Sequence, residues 1–537
     1  MNAAPYDVLV VGAGFAGLAA VAQLRAAGKS VVAVEKAPDV GGTWYANRYP
    51  GLRCDVESLD YSYSWDDGLQ QDWTWTERYA AQPEILAYAR HVADRFDLRR
   101  DIRFSTAVTS LRFDPAMDIW TARLSDDTVV TARWVVLATG ALSTPKPVDI
   151  PGAADFAGES LHTAAWPLEP VSFADKRVAV IGTGSSGIQV STEIAKEAAH
   201  LFVLQRTPSY SVFSFNRPLR ADEIAAAKAG YPTRRAAARA TPDGLIAPQT
   251  GLPAHEVPAG ERRAQLEAIY ASGRPFSYFG VFTDVLIDDA ANRIVHDFLA
   301  EKIRARVGDP DLAEKLIPSG SPFGTRRTCV DSGYYEIFAQ DNVTLVSLRE
   351  SPIERIVDGG ILTSAGLVEV DVIVYATGYD AFTGTPTTID IVGADGTSLR
   401  DAWSDGAHAY LGLMVAGFPN LFLVTGPQSP SVLSNMFVSI EQHVEWIVRA
   451  IGEADAEGIR RMEVDAAAEA DWVAHAAAVA DSTVYRHATS WYVGANVPGK
   501  PRIVLPYLGG VGPFRAHCTA VADDGYRGFV RHASVPA

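Results

Sequence analysis

Two glycine-rich runs hold the residues best spaced to do chemistry. Asp7-Val-Leu-Val-Val-Gly12-Ala-Gly14-Phe-Ala-Gly17 and Arg177-Val-Ala-Val-Ile-Gly182-Thr183-Gly184-Ser185-Ser186-Gly187 both lead from a short apolar stretch into glycines and then into a helical pattern. In that order the backbone can approach a pyrophosphate, and the amino end of the next helix stabilises its charge. The two runs differ eighteen residues beyond their last glycine. The first reaches Glu35, a carboxylate able to accept bonds from ribose hydroxyls. The second reaches Gln205, followed by Arg206 and Thr207. A carboxylate there would repel a 2′-phosphate, whereas an arginine binds one bidentately. The first run therefore reads as an FAD site and the second as an NADP(H) site, a pairing that suits a flavin-dependent oxidoreductase. A disulfide reductase is disfavoured, because no redox-active cysteine pair accompanies the first run.

The elements that must position these residues follow from the pattern. A helix is expected to about Ala27 with Gly28 as its stop, then a strand at Ser30 to Val34. In the second unit a helix is expected to about Ala199 and a strand over Leu201 to Gln205. Val135 to Gly140 and Val372 to Gly378 read as strand-to-turn elements closing each unit. The expected fold class is α/β, with two Rossmann-like dinucleotide-binding domains and a helical insertion in the second. Residues 1–145 and 380–537 are expected to form a discontinuous FAD domain, 150–215 and 323–379 the NADP domain, and 216–322 the insertion. The Ala/Arg-rich stretches of the insertion read as a solvated helix face, with a lid as the alternative.

Composition limits the partners. Of 537 residues, 47 are Lys or Arg and 64 Asp or Glu, so the formal charge is 47 − 64 = −17. A chain this acidic repels nucleic acid and anionic lipid, so neither is expected as a partner. Cys54, Cys329 and Cys518 are far apart, with no metal-ligand spacing, so no metal is expected. A cytoplasmic monomer is the expectation, with no membrane span.

A third motif narrows the chemistry. Phe156-Ala-Gly158-Glu-Ser-Leu-His162-Thr-Ala-Ala-Trp166-Pro167 precedes the second glycine run, in what reads as a linker between domains. Gly41-Gly42-Thr43-Trp44 is followed by Tyr49-Pro50-Gly51 and Asp55, and further runs are Thr325-Arg326-Arg327 and Ser490-Trp491-Tyr-Val-Gly. With these motifs the chain resembles, over nearly its whole length, the Baeyer–Villiger monooxygenases of class B flavoprotein type. Within them it is most similar to the phenylacetone and cyclohexanone monooxygenase group.

The resemblance implies FAD and NADPH as cofactors, with O2 and a ketone as co-substrates. One oxygen atom is inserted next to the carbonyl through a flavin C4a-peroxide, giving an ester or lactone. It implies Arg327 as the cation beside the peroxide, oriented by Asp55, and Arg326 as a second cation for the 2′-phosphate. Gly42, Thr43 and Trp44 are then expected at the flavin, and Trp491 over the NADP. Ser431, Val432 and Leu433 are expected in the substrate pocket, and Phe156, Gly158, His162, Trp166 and Pro167 at the hinge. An N- or S-oxygenating flavoenzyme and a catalytically silent flavoprotein are the rival readings.

Overall fold

The computed structural model describes residues 4–247 and 250–533, and each glycine run opens from a strand inside its own sheet. In the first sheet Tyr6–Val11 lies parallel between Val31–Val34 and Val129–Leu137. Val8, Leu9 and Val10 are almost fully buried. A strand covered on both faces needs such an unbroken apolar run. Leu421–Leu423, more than four hundred residues downstream, pairs with Val135–Leu137 in the same sheet. Asp390–Val392 joins through Val108–Asp114. The second sheet is wholly parallel, in the order Val343–Ser347, His200–Gln205, Arg177–Ile181, Val372–Tyr375, Glu159–His162.

Several expectations need correction. Val129–Leu137 and Val372–Tyr375 do not close their sheets, since each has a neighbour on both sides. His162 is not in a free linker: it ends the edge strand Glu159–His162, opposite Tyr375. The helix after the second glycine run stops at Ile194 and does not reach Ala199. There the Asn342 side-chain amide donates to the Ala195 and Ala198 carbonyls at 3.2 and 3.0 Å, satisfying groups that further helix would have used.

The helices Ala221–Ala240, Ala259–Ser272 and Asp289–Val307 all fall within the insertion. The basic face of Ala221–Ala240 is not solvated, as its sequence suggests. Arg234 is ion-paired with Asp60, and buried Arg235 donates to the Asp60 carbonyl at 2.9 Å and to the Ser62 hydroxyl at 2.6 Å. Charge complementarity docks this helix on the first unit. Among the described residues no helix is long and apolar enough to cross a membrane.

A buried ion pair ties the insertion to the second sheet's neighbourhood. Arg306 grips Asp331 at 2.7 and 3.1 Å, and Asp331 also accepts from the Ser211 hydroxyl and the Gly333 amide. Asp331 ends the strand Cys329–Asp331, which begins two residues beyond Arg327. Burial alone would raise the Asp331 pKa, but Arg306 and these donors hold it below the usual carboxylate range. The pair therefore adds stability above the unfolded carboxylate pKa, near 4, and loses it as pH falls through the depressed folded value. Asp331→Asn leaves Arg306 with only the half-exposed Glu336 as a counter-charge and is expected to cost about 1.5–3 kcal/mol. A denaturation midpoint unchanged at pH 7 would show that the pair is not a structural tie.

Candidate active site

Asp55 and Arg327 lie 272 residues apart and meet at the junction of all parts of the chain. Arg327 donates from Nε to Oδ2 and from Nη2 to Oδ1, both at 2.8 Å. Asp55 is held by its neighbours, since the Cys54 amide donates to the Ala80 carbonyl at 3.2 Å and Arg53 bridges to Ala81. Arg327 sits in the turn before Cys329–Asp331, where the Cys329 amide donates to the Tyr210 carbonyl at 2.8 Å. Its Nη1 donates to the Val432 carbonyl, and its guanidinium carbon lies 4.6 Å from the Phe276 ring centre. Burial would lower the Arg327 pKa, but Asp55 and the Tyr492 phenol oxygen outweigh that and raise it. Both side chains are about one-fifth exposed, so the pair is not sealed from its surroundings.

A second set of contacts steadies the same turn. The Tyr485 hydroxyl donates to the Gly324 carbonyl at 2.8 Å, and the Ser490 hydroxyl to that of Thr325 at 2.7 Å. Arg326 donates from Nη2 to the Thr489 carbonyl at 3.2 Å, while its buried Nε has no partner. Trp491 is half-buried against Tyr492 and Phe382, with ring centres 4.3 and 6.3 Å away.

The residues of both glycine runs fit dinucleotides. A Cβ on Gly17 would lie 1.9 Å from the Gly12 carbonyl oxygen, and one on Gly187 would lie 2.0 Å from that of Gly182. These glycines serve close helix–strand packing. A Cβ on Gly184 would meet nothing within 4 Å, so its backbone stays open to a phosphate. Gly42, with φ +53°, is pressed against Gly14. Buried Glu35 accepts from the Ala13 amide at 2.7 Å and the Ala37 amide at 2.8 Å, which fixes the carboxylate. Thr183 donates to the Thr207 carbonyl at 3.0 Å, and Ser185 lies 3.3 Å from the Cys329 sulfur. Thr43 is exposed at the start of a helical turn next to buried Trp44, whose indole N–H is spent on the Tyr61 hydroxyl at 3.1 Å. Trp44 thus packs as core against Tyr61.

The other expected residues divide. Ser431 is fully buried with φ +41° and no partner for its hydroxyl, so it is the pivot of a turn and not pocket surface. Val432 serves through its carbonyl, and Leu433 alone of the three is partly open. Phe156 packs against the core beside the second sheet. A Cβ on Gly158 would lie 2.4 Å from the Asp371 carbonyl oxygen, which explains the glycine. His162 accepts the Ala164 amide on Nδ1 at 3.0 Å, leaving its proton on Nε2, 3.3 Å from Thr377 Oγ1. Burial lowers its pKa, so it is a neutral donor to the chain crossing between the sheets. Trp166 packs in the second unit's core near Phe173. A cleft of about 450 Å³ is lined by Trp166, Pro167, Arg48 and Arg90, and does not reach Arg327.

Phe276 and Tyr492 were not found from the sequence. Tyr492 had a signal, its place directly after Trp491; Phe276, one aromatic among many in the insertion, had none. The cysteines are free and buried, and burial pushes the Cys329 and Cys518 thiols up to about 12. That makes them unreactive.

Comparison with known proteins places this geometry. Residues 6–225 match the family described as pyridine nucleotide-disulphide oxidoreductase. The chain is 42% identical to an acetone monooxygenase (methyl acetate-forming) of Gordonia sp. (strain TY-5), covering 98% of this chain and 99% of that one. It is 39% identical to a Baeyer–Villiger monooxygenase of Pseudooceanicola batsensis, covering 98% and 96%. A solved structure of an oxidised steroid monooxygenase bound to NADP superposes with a TM-score of 0.95 at 46% identity, covering 99% and 100%.

The glycine geometry separates packing from binding. Gly184→Ala is expected to fold with FAD and change stability by no more than about 0.5 kcal/mol, yet bind NADP+ less tightly. Gly187→Ala drives a methyl into the Gly182 carbonyl and is expected to fail to fold stably. Calorimetric NADP+ titration with a thermal melt checks both; wild-type NADP+ affinity in Gly184→Ala would contradict the open-cradle assignment.

Proposed function

The chain belongs to the Baeyer–Villiger monooxygenases, which use FAD and NADPH, and on that premise we propose how its residues divide the work of placing one oxygen atom beside a ketone carbonyl. Bound FAD and NADPH supply the redox chemistry, in which hydride reduces the flavin, O2 is activated and the ketone becomes an ester or lactone. In this reading residues 1–145 and 380–537 hold FAD, 150–215 and 323–379 hold NADP, and 216–322 cover the substrate side. The strand order supports that division, because 390–392 and 421–423 join the first sheet and 372–375 the second.

The bidentate Asp55–Arg327 pair carries the assignment of the catalytic centre. Three of the five guanidinium N–H groups are committed, two to Asp55 and one to Val432. Of the two left, one lies toward the Tyr492 phenol oxygen and the other faces charge developing on the reacting oxygen. A fixed cation about 4 Å from such charge contributes about 4 kcal/mol at an effective dielectric near 20. Arginine suits this role because it does not surrender a proton to the anion it stabilises. Phe276 over the guanidinium and partly open Leu433 make the approach apolar. That excludes water and favours the apolar body of a ketone. Glu35 and the glycines from Gly12 to Gly17 hold the FAD end, while Arg206, Thr207 and Arg326 hold the 2′-phosphate of NADP.

Arg327→Ala is expected to keep FAD and lose ester formation by about a thousandfold, the equivalent of 4 kcal/mol. Asp55→Ala should lose less, because the cation remains but is less well aimed. The raised Arg327 pKa puts its deprotonation above the working range, so this residue adds no basic limb to the parent's pH–rate profile. Arg327→Lys should add one, because a lysine can lose its proton. Product analysis by gas chromatography, with hydrogen peroxide measured alongside, tests these outcomes. Near-parental ester formation by Arg327→Ala would remove Arg327 from the catalytic role.

A further inference from the structure

The carboxyl edge of the second sheet gathers cations from three separate stretches of chain. Along that edge the Leu348 amide donates to the Gln205 carbonyl at 2.8 Å, the Gly182 amide to that of Leu204 at 3.1 Å, and the Ala376 amide to that of Ile181 at 2.9 Å. Arg206 therefore stands one strand to one side of the Gly182–Gly187 run, and Gly378 lies three residues beyond the end of the strand on the other side. Lys146 is fastened to that far side: its amide donates to the Gly378 carbonyl at 3.0 Å, and Pro145 bridges to Tyr379. Neighbouring strands lie about 4.8 Å apart, so Lys146 and Arg206 flank the loop within reach of one phosphate group.

These cations lack the partners that most basic residues of this acidic chain have. Among the described residues Lys146, Arg206 and Arg326 make no ion pair. The carboxylates nearest Lys146 are Asp149 and Asp380, and Asp380 is occupied by Lys500 at 2.6 Å. Burial lowers the pKa of half-buried Lys146 and Arg206 lowers it further; Arg326 is lowered by burial and then by Arg206 and Arg349. Mutually repelling cations that no carboxylate pairs describe a site suited to an anion.

We propose that Lys146 is a third cation for the 2′-phosphate of NADP, supplied by the chain that crosses between the two sheets. The proposal rests on the reading of Arg206 and Arg326 as the 2′-phosphate site and adds to it a residue from outside the second glycine unit. A lysine is a compact charge on a flexible stem, able to reach a phosphate dianion already held by the flat arginine fork. Nucleotide selectivity is then spread over two units of the chain. The phosphate also tethers the crossing segment, so NADP and not NAD would fasten the two sheets together.

Calorimetric titration of the oxidised, FAD-loaded protein with NADP+ and with NAD+ tests the proposal. Lys146→Gln should weaken NADP+ by about tenfold or more, the loss of one charge-assisted bond, and NAD+ by less than about twofold. Lys146→Arg should retain NADP+ binding within about threefold, because the charge remains. Equal NADP+ affinity in Lys146→Gln and the parent, or equal weakening of both nucleotides, would overturn the role given to Lys146. Arg206→Ala separates the two readings. If it loses NADP+ selectively while Lys146→Gln does not, only the Lys146 proposal falls. If Arg206→Ala leaves NADP+ and NAD+ unchanged, the 2′-phosphate site itself is misplaced.

Discussion

The Arg327 guanidinium is the point on which the pieces of this chain converge. Asp55 comes from the first glycine unit, Phe276 from the insertion, and Val432 and Tyr492 from the C-terminal third. A charge lodged between apolar rings and backbone carbonyls survives only if its donors are satisfied. Its surroundings meet most of that demand with a carboxylate and a carbonyl, and a phenol oxygen stands close by. Because the partners come from distant stretches, the cation acquires its direction only when all the units have docked. The folding of the whole chain and the aim of one side chain are thus the same event.

The insertion is fixed by the same kind of force. Arg306 on Asp331, and Arg234 with Arg235 on Asp60 and Ser62, bind helices to the second and first units through buried or half-buried charge. Ion pairs of this sort add little when exposed, but breaking one in the interior leaves a charge without compensation. They specify where the insertion sits more than they stabilise it. Phe276 inherits its position over Arg327 from that docking, since it lies between the helices Ala259–Ser272 and Asp289–Val307.

The formal charge of −17 sharpens the contrast at the second sheet. Over most of the molecule arginines are consumed by carboxylates, as at Arg263 with Glu267 and Glu301. At the carboxyl edge of the second sheet they are left alone. Unpaired cations gathered there suit a phosphate-bearing nucleotide, while the acidic remainder of the surface repels long polyanions.

Much of the fold was legible in the amino-acid sequence. Both strand–glycine–helix starts, the opposite character of Glu35 and Arg206, the helical insertion and the absence of a cysteine pair are local patterns. Local patterns survive because the backbone obeys them before any tertiary contact forms. The sequence was less informative where a residue's part depends on what approaches it. The strand Glu159–His162 read as linker because its pairing partner is some two hundred residues away. Ser431 read as pocket surface, yet the turn carries its hydroxyl inward. The Ala/Arg face of Ala221–Ala240 read as solvated because Asp60 is far off in sequence. Residue types and short spacings by themselves determined that the chain builds two dinucleotide folds of opposite charge preference; Arg327 and Asp55 stood out only through the resemblance to a known family. Only the tertiary structure decided which N–H groups of Arg327 stay free, that Phe276 covers it, and that Lys146 stands across the loop from Arg206. Those depend on through-space distances of a few ångströms between residues far apart along the chain, and no local pattern encodes them.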